Sequence, residues 1–118
     1  NMRKIEMMMN SAIRYRKNFS SGNTTVRAFR ESVDVYLHGN HIASLDTATH
    51  ELTLKDGGWQ SNTTKSRLNA LINEFADAYN DGVFQQNFCW FINTKKGVVD
   101  FVNGYEFRGA KAEGYYGN

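Results

Sequence analysis

An α+β domain is the fold class this sequence predicts: an antiparallel sheet made of a β-meander and a C-terminal β-hairpin, with one long helix packed on one face. Three observations predict it. Between Ser32 and Lys55, apolar and polar residues alternate with period two and are broken by short turn sequences. From Leu68 to Tyr79, apolar residues fall at helical spacing. Past Gly82, aromatic and β-branched runs return. Strands and helix are segregated along the chain, which favours α+β over the alternating α/β pattern.

The elements follow in order. The opening "NMRKIEMMMN" reads as a flexible tail of about twelve residues, with the leading Asn a tag remnant and Met2 or a later Met the start. "NFSSGNTTV" (18–26) reads as a polar loop ahead of a strand-like run. Val33, Val35 and Leu37 alternate with Ser32, Asp34 and Tyr36, which marks a half-buried strand. A two-residue Gly39-Asn40 turn then fits a tight hairpin. Its partner is 41–46, "DTAT" turns the chain, and 50–55 completes a three-stranded meander closed by "KDGG". Leu68, Leu71, Ile72, Phe75 and Tyr79 form one stripe, so a helix is expected over 63–81. Ser61, Asn62, Thr63 and Thr64 are all suitable caps, and Gly82 is a natural residue past the end. "VFQQNFCWFIN" (83–93) is apolar on both faces near 89–92 and reads as one central strand. "TKKG" turns it and "VVDFV" pairs back, while "NGYEF" is either a second turn or a bend into a last short strand. Residues 109–118 read as a second flexible tail.

A chain of 118 residues fits a single domain with one core. Its one cysteine, Cys89, excludes an internal disulfide and favours a reducing cytoplasm. Set in "FCWFI", it reads as a buried, inert thiol. No run approaches the ~18 apolar residues of a membrane-spanning helix. Net charge is only +2, but seven basic side chains in the first thirty residues stand against Glu6 alone. That asymmetry suits an acidic partner, and a solvated basic face is the plainer alternative.

Lys65 and Arg67 sit at the start of the expected helix, where the macrodipole favours acids; Glu74, Asp77 and Asp81 sit toward its far end. Helix-start N–H groups, the hydroxyls of Thr63 and Thr64, and these two cations make an anion site, with Trp59 and Gln60 placed to touch a base or sugar. The plainer reading is surface charge balanced by a nearby carboxylate. Together with Arg14, Arg16, Lys17, Arg27 and Arg30, these residues form the candidate anion or nucleic-acid interface. Aromatics interleaved with arginines, Tyr36 and Phe29 among them, would make a stacking platform for single strands if exposed, although most of the aromatic set is expected in the core.

No Walker loop is present. His38 and His41, opposite each other across the expected turn, could share a metal, but a structural zinc needs about four ligands and the pair reads as solvent-facing. No nucleophile–base spacing is recognisable, so neither catalysis, a metal nor a cofactor is expected.

"KNFSSGNTTVR", "VYLHGNHIA", "LTLKDGGWQSNTTKSRLNALI" and "FQQNFCWFI" together resemble a group of small tailed-bacteriophage and prophage proteins, over roughly residues 17–108. The most specific portion is G-W-x-x-x-T-T-K-x-R-L-N-A-L. The resemblance carries over no catalytic residue. It implies a non-enzymatic viral protein in the bacterial cytoplasm, one that binds nucleic acid or, alternatively, inhibits a host protein or defence system. A flat sheet edge leaves a homodimer open.

Overall fold

The computed structural model describes residues 2–77 and 81–107. Within them the chain runs α1 (Lys4–Arg14), β1 (Phe19–Ser21), β2 (Thr24–Ala28), β3 (Ser32–Leu37), β4 (Asn40–Asp46), β5 (Leu52–Leu54), α2 (Asn62–Phe75), β6 (Gly82–Gln86), β7 (Cys89–Thr94), β8 (Gly97–Asp100) and β9 (Tyr105–Phe107). The α+β class stands, with antiparallel sheets and the C-terminal hairpin. Six strands form one sheet in the order β1-β2-β3-β4-β5-β9, and β6-β7-β8 form a second.

Alternation fixes which face of the large sheet is dry. Val26, Val33, Val35, Leu37, Leu52 and Leu54 are buried, whereas Thr25, Arg27, Asp34, Tyr36 and Ser44 point the other way and keep solvent access. Both helices cover the dry face: α1 packs on β2, and α2 packs on β4 and on β6 of the small sheet. Asn69 of α2 ties the small sheet down, because its amide both donates to Val83 O (2.9 Å) and accepts from Val83 N–H (2.8 Å).

Several expectations are corrected. The N-terminal segment is a helix rather than a tail: Met9, Ala12 and Ile13 are buried on one stripe, and Glu6 at the third helical position accepts from the Arg3 N–H (3.1 Å). "NFSSGNTTV" is a hairpin, with Phe19 paired to Val26 and Ser21 to Thr24. The tight turn after β3 is centred on His38 and Gly39, not Gly39 and Asn40. Both central residues have positive φ (+52° and +79°), the signature of the mirror-image turns that match strand twist. Leu37 therefore pairs with Asn40 and His41 with Tyr36, so the two histidines are not opposite each other.

Helix α2 ends at Phe75, with Ala76 extended, and Gly82 opens β6 instead of closing the helix. Tyr79, expected in the helical stripe, lies outside the described residues, as do residues 109–118. "VFQQNFCWFIN" is two strands, folded back at Asn87 and Phe88, both of positive φ. Cys89 is exposed on the outer face of β7, while Trp90 and Ile92 take the buried positions. "NGYEF" resolves into a turn followed by β9, which leaves the hairpin and pairs with β5.

Candidate nucleic-acid interface

Helices α1 and α2 lie parallel, with contacts sixty residues apart repeating once per turn. Glu6 meets Ser66 and Arg67, Asn10 Nδ2 donates to Ala70 O (3.0 Å), and Arg14 pairs with Glu74. The first of these rungs disposes of the central expectation for the helix start. Arg67 is only 2 % exposed. Its Nη1 donates to Glu6 Oε2 (2.7 Å), its Nε to Thr24 Oγ1 (2.9 Å) and its Nη2 to Asn23 Oδ1 (3.1 Å). Each guanidinium nitrogen donates to a partner inside the fold and the charge is already neutralised by Glu6, so Arg67 serves as a structural cation.

Glu6 is equally buried. Burial pushes its carboxyl pKa up, but hydrogen bonds from Ser66 (2.6 Å), the Arg3 N–H and Arg67 outweigh that and hold it below the ordinary value. Helix α2 has no acid in its own first turn. Glu6, seated beside its N-terminal turns, supplies that charge from the neighbouring helix.

The cap of α2 uses the hydroxyls. Ser61 Oγ accepts from the Thr64 N–H (3.1 Å), and Thr64, buried, donates to Trp59 O (3.2 Å). Thr64 is thus a capping residue. Thr63 and Trp59 line a cleft of about 460 Å³ with Leu37, His38, Ile42 and Asp56. Trp59 is 74 % exposed at its rim, and Lys65 is half-buried on the adjacent first turn. Gly57 closes the floor: its φ is +71°, and a Cβ there would lie 3.1 Å from Ile42 Cγ2.

The remaining predicted residues gather elsewhere. Arg16 Nη2 donates to Thr47 O (3.1 Å), and Thr47 Oγ1 donates to Arg30 O (2.9 Å). That places Arg16, Lys17 and Arg30, all exposed, near the end of the sheet where β2 turns into β3. Arg14, at the same end, is held by Glu74 and lies over the Phe75 ring. The Trp59 cleft is at the opposite end, roughly 17 Å away along β3 at about 3.3 Å per residue. Arg27 apart, the accessible candidates therefore fall into two separate clusters, one per end.

Arg27 lies between them on the open face of the large sheet. Its guanidinium sits 5.8 Å from the Tyr36 ring centroid, on the diagonal across β2 and β3. Tyr36 in turn meets the His41 ring at 5.2 Å. Thr25, Arg27, Phe29, Tyr36 and Gly39 enclose a shallow depression of about 240 Å³, and Phe29 is 54 % exposed. Tyr36 and Phe29 stood only in the aromatic set; period two, which puts Thr25 and Arg27 on the same side of β2 with Phe29 next in that phase just past its end, was the signal that selects them.

Beside this platform His41 Nε2 meets Ser44 Oγ (2.9 Å), and Ser44 donates to Asp34 Oδ1 (2.8 Å). Serine, histidine and aspartate are all present, but in the wrong order for nucleophile activation: the hydroxyl proton goes to the carboxylate and not to the imidazole. Among the described residues no cluster of three or more His, Cys, Asp or Glu side chains could hold a metal ion, and no helix is long and apolar enough to cross a membrane.

The model of a phage protein family, described as Kyanoviridae Gp96 protein, matches residues 2–108. No curated protein and no solved structure matches the chain.

Proposed function

The chain belongs to the Kyanoviridae Gp96 family of phage proteins, and from that premise we propose that it is a non-enzymatic accessory protein that binds single-stranded nucleic acid in the bacterial cytoplasm. The observation that carries the reading is the Arg27–Tyr36 stack on an open sheet face, with Phe29 exposed beside it. A π-face backed by a guanidinium accepts any base, at roughly 1–3 kcal/mol per stacked base. Arg16, Lys17 and Arg30 at the adjoining end of the sheet supply phosphate contacts.

Titrating a labelled single-stranded oligonucleotide by fluorescence anisotropy tests it. Affinity is expected to fall linearly with log salt, with a slope of about −0.7 per neutralised phosphate. Tyr36→Ala should weaken binding by about tenfold or more, and Arg27→Ala should also flatten the slope. No anisotropy change at low salt, with either DNA or RNA, would end this reading.

A second reading, inhibition of a host protein or defence system by direct binding, draws on the Trp59 cleft. An exposed tryptophan over an apolar floor, with Lys65 alongside, is the chemistry of a protein hot spot that meets an acidic surface. A pull-down from host lysate that recovers a stoichiometric partner resistant to nuclease, and loses it on Trp59→Ala, would favour this reading.

A further inference from the structure

We propose that β8 is a homodimerisation edge, through which two copies of this chain join their small sheets into one continuous six-stranded sheet. In the order β6-β7-β8, β8 is terminal, so among the described residues one side of it carries no strand. All four of its residues are exposed, with Val98 at 56 % and Val99 at 44 %. A bare edge bearing two valines is an unusual thing to leave in water.

The register can be derived. Lys95 and Lys96 form the two-residue turn between β7 and β8, so Thr94 and Gly97 are the closing hydrogen-bonded pair. Alternation then makes Val99 and Phe101 face β7, and Phe101 N–H indeed donates to Trp90 O (3.1 Å). Val98 and Asp100 consequently aim their N–H and C=O groups at the open side. A two-fold axis normal to the sheet keeps like faces together and can pass beside an outward or an inward residue of the strand. Centred on Val98, the pairing lets the two Val98 backbones exchange both hydrogen bonds.

Charge selects the same register. With Val98 opposite Val98, Lys96, the turn residue just before β8, comes beside the far end of the other copy's strand, where its long side chain reaches Asp100, which gives two opposite-charge pairs flanking a valine pair. Neither Lys96 nor Asp100 has an ion-pair partner among the described residues. The other three edges among the described residues lack this self-complementarity: β1 ends in Ser20 and Ser21, β6 in Gln85 and Gln86, and β9, Tyr-Glu-Phe, carries an acid and no base.

Sedimentation equilibrium of the full chain tests the proposal. The expected result is a concentration-dependent dimer whose dissociation constant rises about tenfold or more in Asp100→Lys and in Lys96→Asp. The double variant carrying both reversals should regain the dimer, since the charges are merely exchanged. Val98→Pro removes the outward N–H and should give a monomer with an unchanged circular dichroism spectrum. A wild-type chain that stays monomeric to millimolar concentration overturns the proposal, as does a dimer indifferent to Asp100→Lys. Nucleic-acid binding by Arg27 and Tyr36 is read in a separate assay, so either result can fail alone.

Discussion

Arg67 changes category between sequence and structure. As a letter near a helix start it looks like a cation waiting for an anion; in the fold it already has one. Breaking a buried pair by removing one partner leaves an uncompensated charge and costs about 3–5 kcal/mol. Arg67→Ala is therefore expected to lower the urea midpoint severely, whereas Lys65→Ala, at a half-exposed position, should change the unfolding free energy by less than about 0.5 kcal/mol. Replacing both members, as Glu6→Leu with Arg67→Met, should restore much of the loss. Acid reports on the same pair. Because the Glu6 pKa is depressed in the folded chain, the stability it confers is complete above the ordinary glutamate range, near about pH 4.3, and is lost as pH falls through the folded value. Urea midpoints measured from pH 7 down to pH 3 should fall, and the double variant should show a shallower fall. Some acid sensitivity will persist, since the N–H groups of Thr49 and Ala48 also hold the Asp46 carboxyl down.

Among the elements, those that obey a simple period were legible and those with polar content were not. The strand with Val33, Val35 and Leu37 was readable because one face is purely aliphatic, and α2 because its stripe is leucine-rich. Helix α1 was hidden by burying Glu6 and Asn10, residues that a hydrophobic pattern counts as outward. The β1–β2 hairpin was hidden by its Ser, Thr and Asn content, and the β6–β7 turn by an aromatic, Phe88, in a left-handed conformation that Gly or Asn usually fills. Two predictions belong here. Deleting residues 2–14 should abolish the cooperative thermal transition, because α1 covers β2 and neutralises Arg67; an unchanged Tm would return the segment to the status of a tail. His38→Asn should raise stability by about 0.5–1 kcal/mol, a part of the ~1–2 kcal/mol that a left-handed side chain costs, as read by chemical denaturation.

For the whole molecule, the outcome is a division of surfaces. The helices occupy one face of the large sheet and leave the other to solvent, and of the basic residues of the first quarter Arg14, Arg16, Lys17 and Arg30 fall at one end, Arg27 on that open face, and Arg3 and Lys4 at the start of α1. The candidate site was legible in kind, as arginines beside aromatics, but not in place, because the distance between Lys65 and Arg30 is set by the run of β3 and not by sequence. If the open face is the binding surface, Arg30→Ala should weaken oligonucleotide binding while Lys65→Ala leaves it within about twofold, a contrast that anisotropy titrations at one salt concentration will read.

The sixty-residue rungs between α1 and α2 also set a schedule. Glu6 is made well before the arginine and serine that satisfy it, which follow sixty residues later, on the order of 3–12 s at usual elongation rates. Throughout that interval α1 has no seat for its carboxylate in a dry interior. Commitment of the N-terminus to the fold must then follow synthesis of the second helix, so a nascent chain stalled before residue 67 should keep its first fourteen residues open to protease.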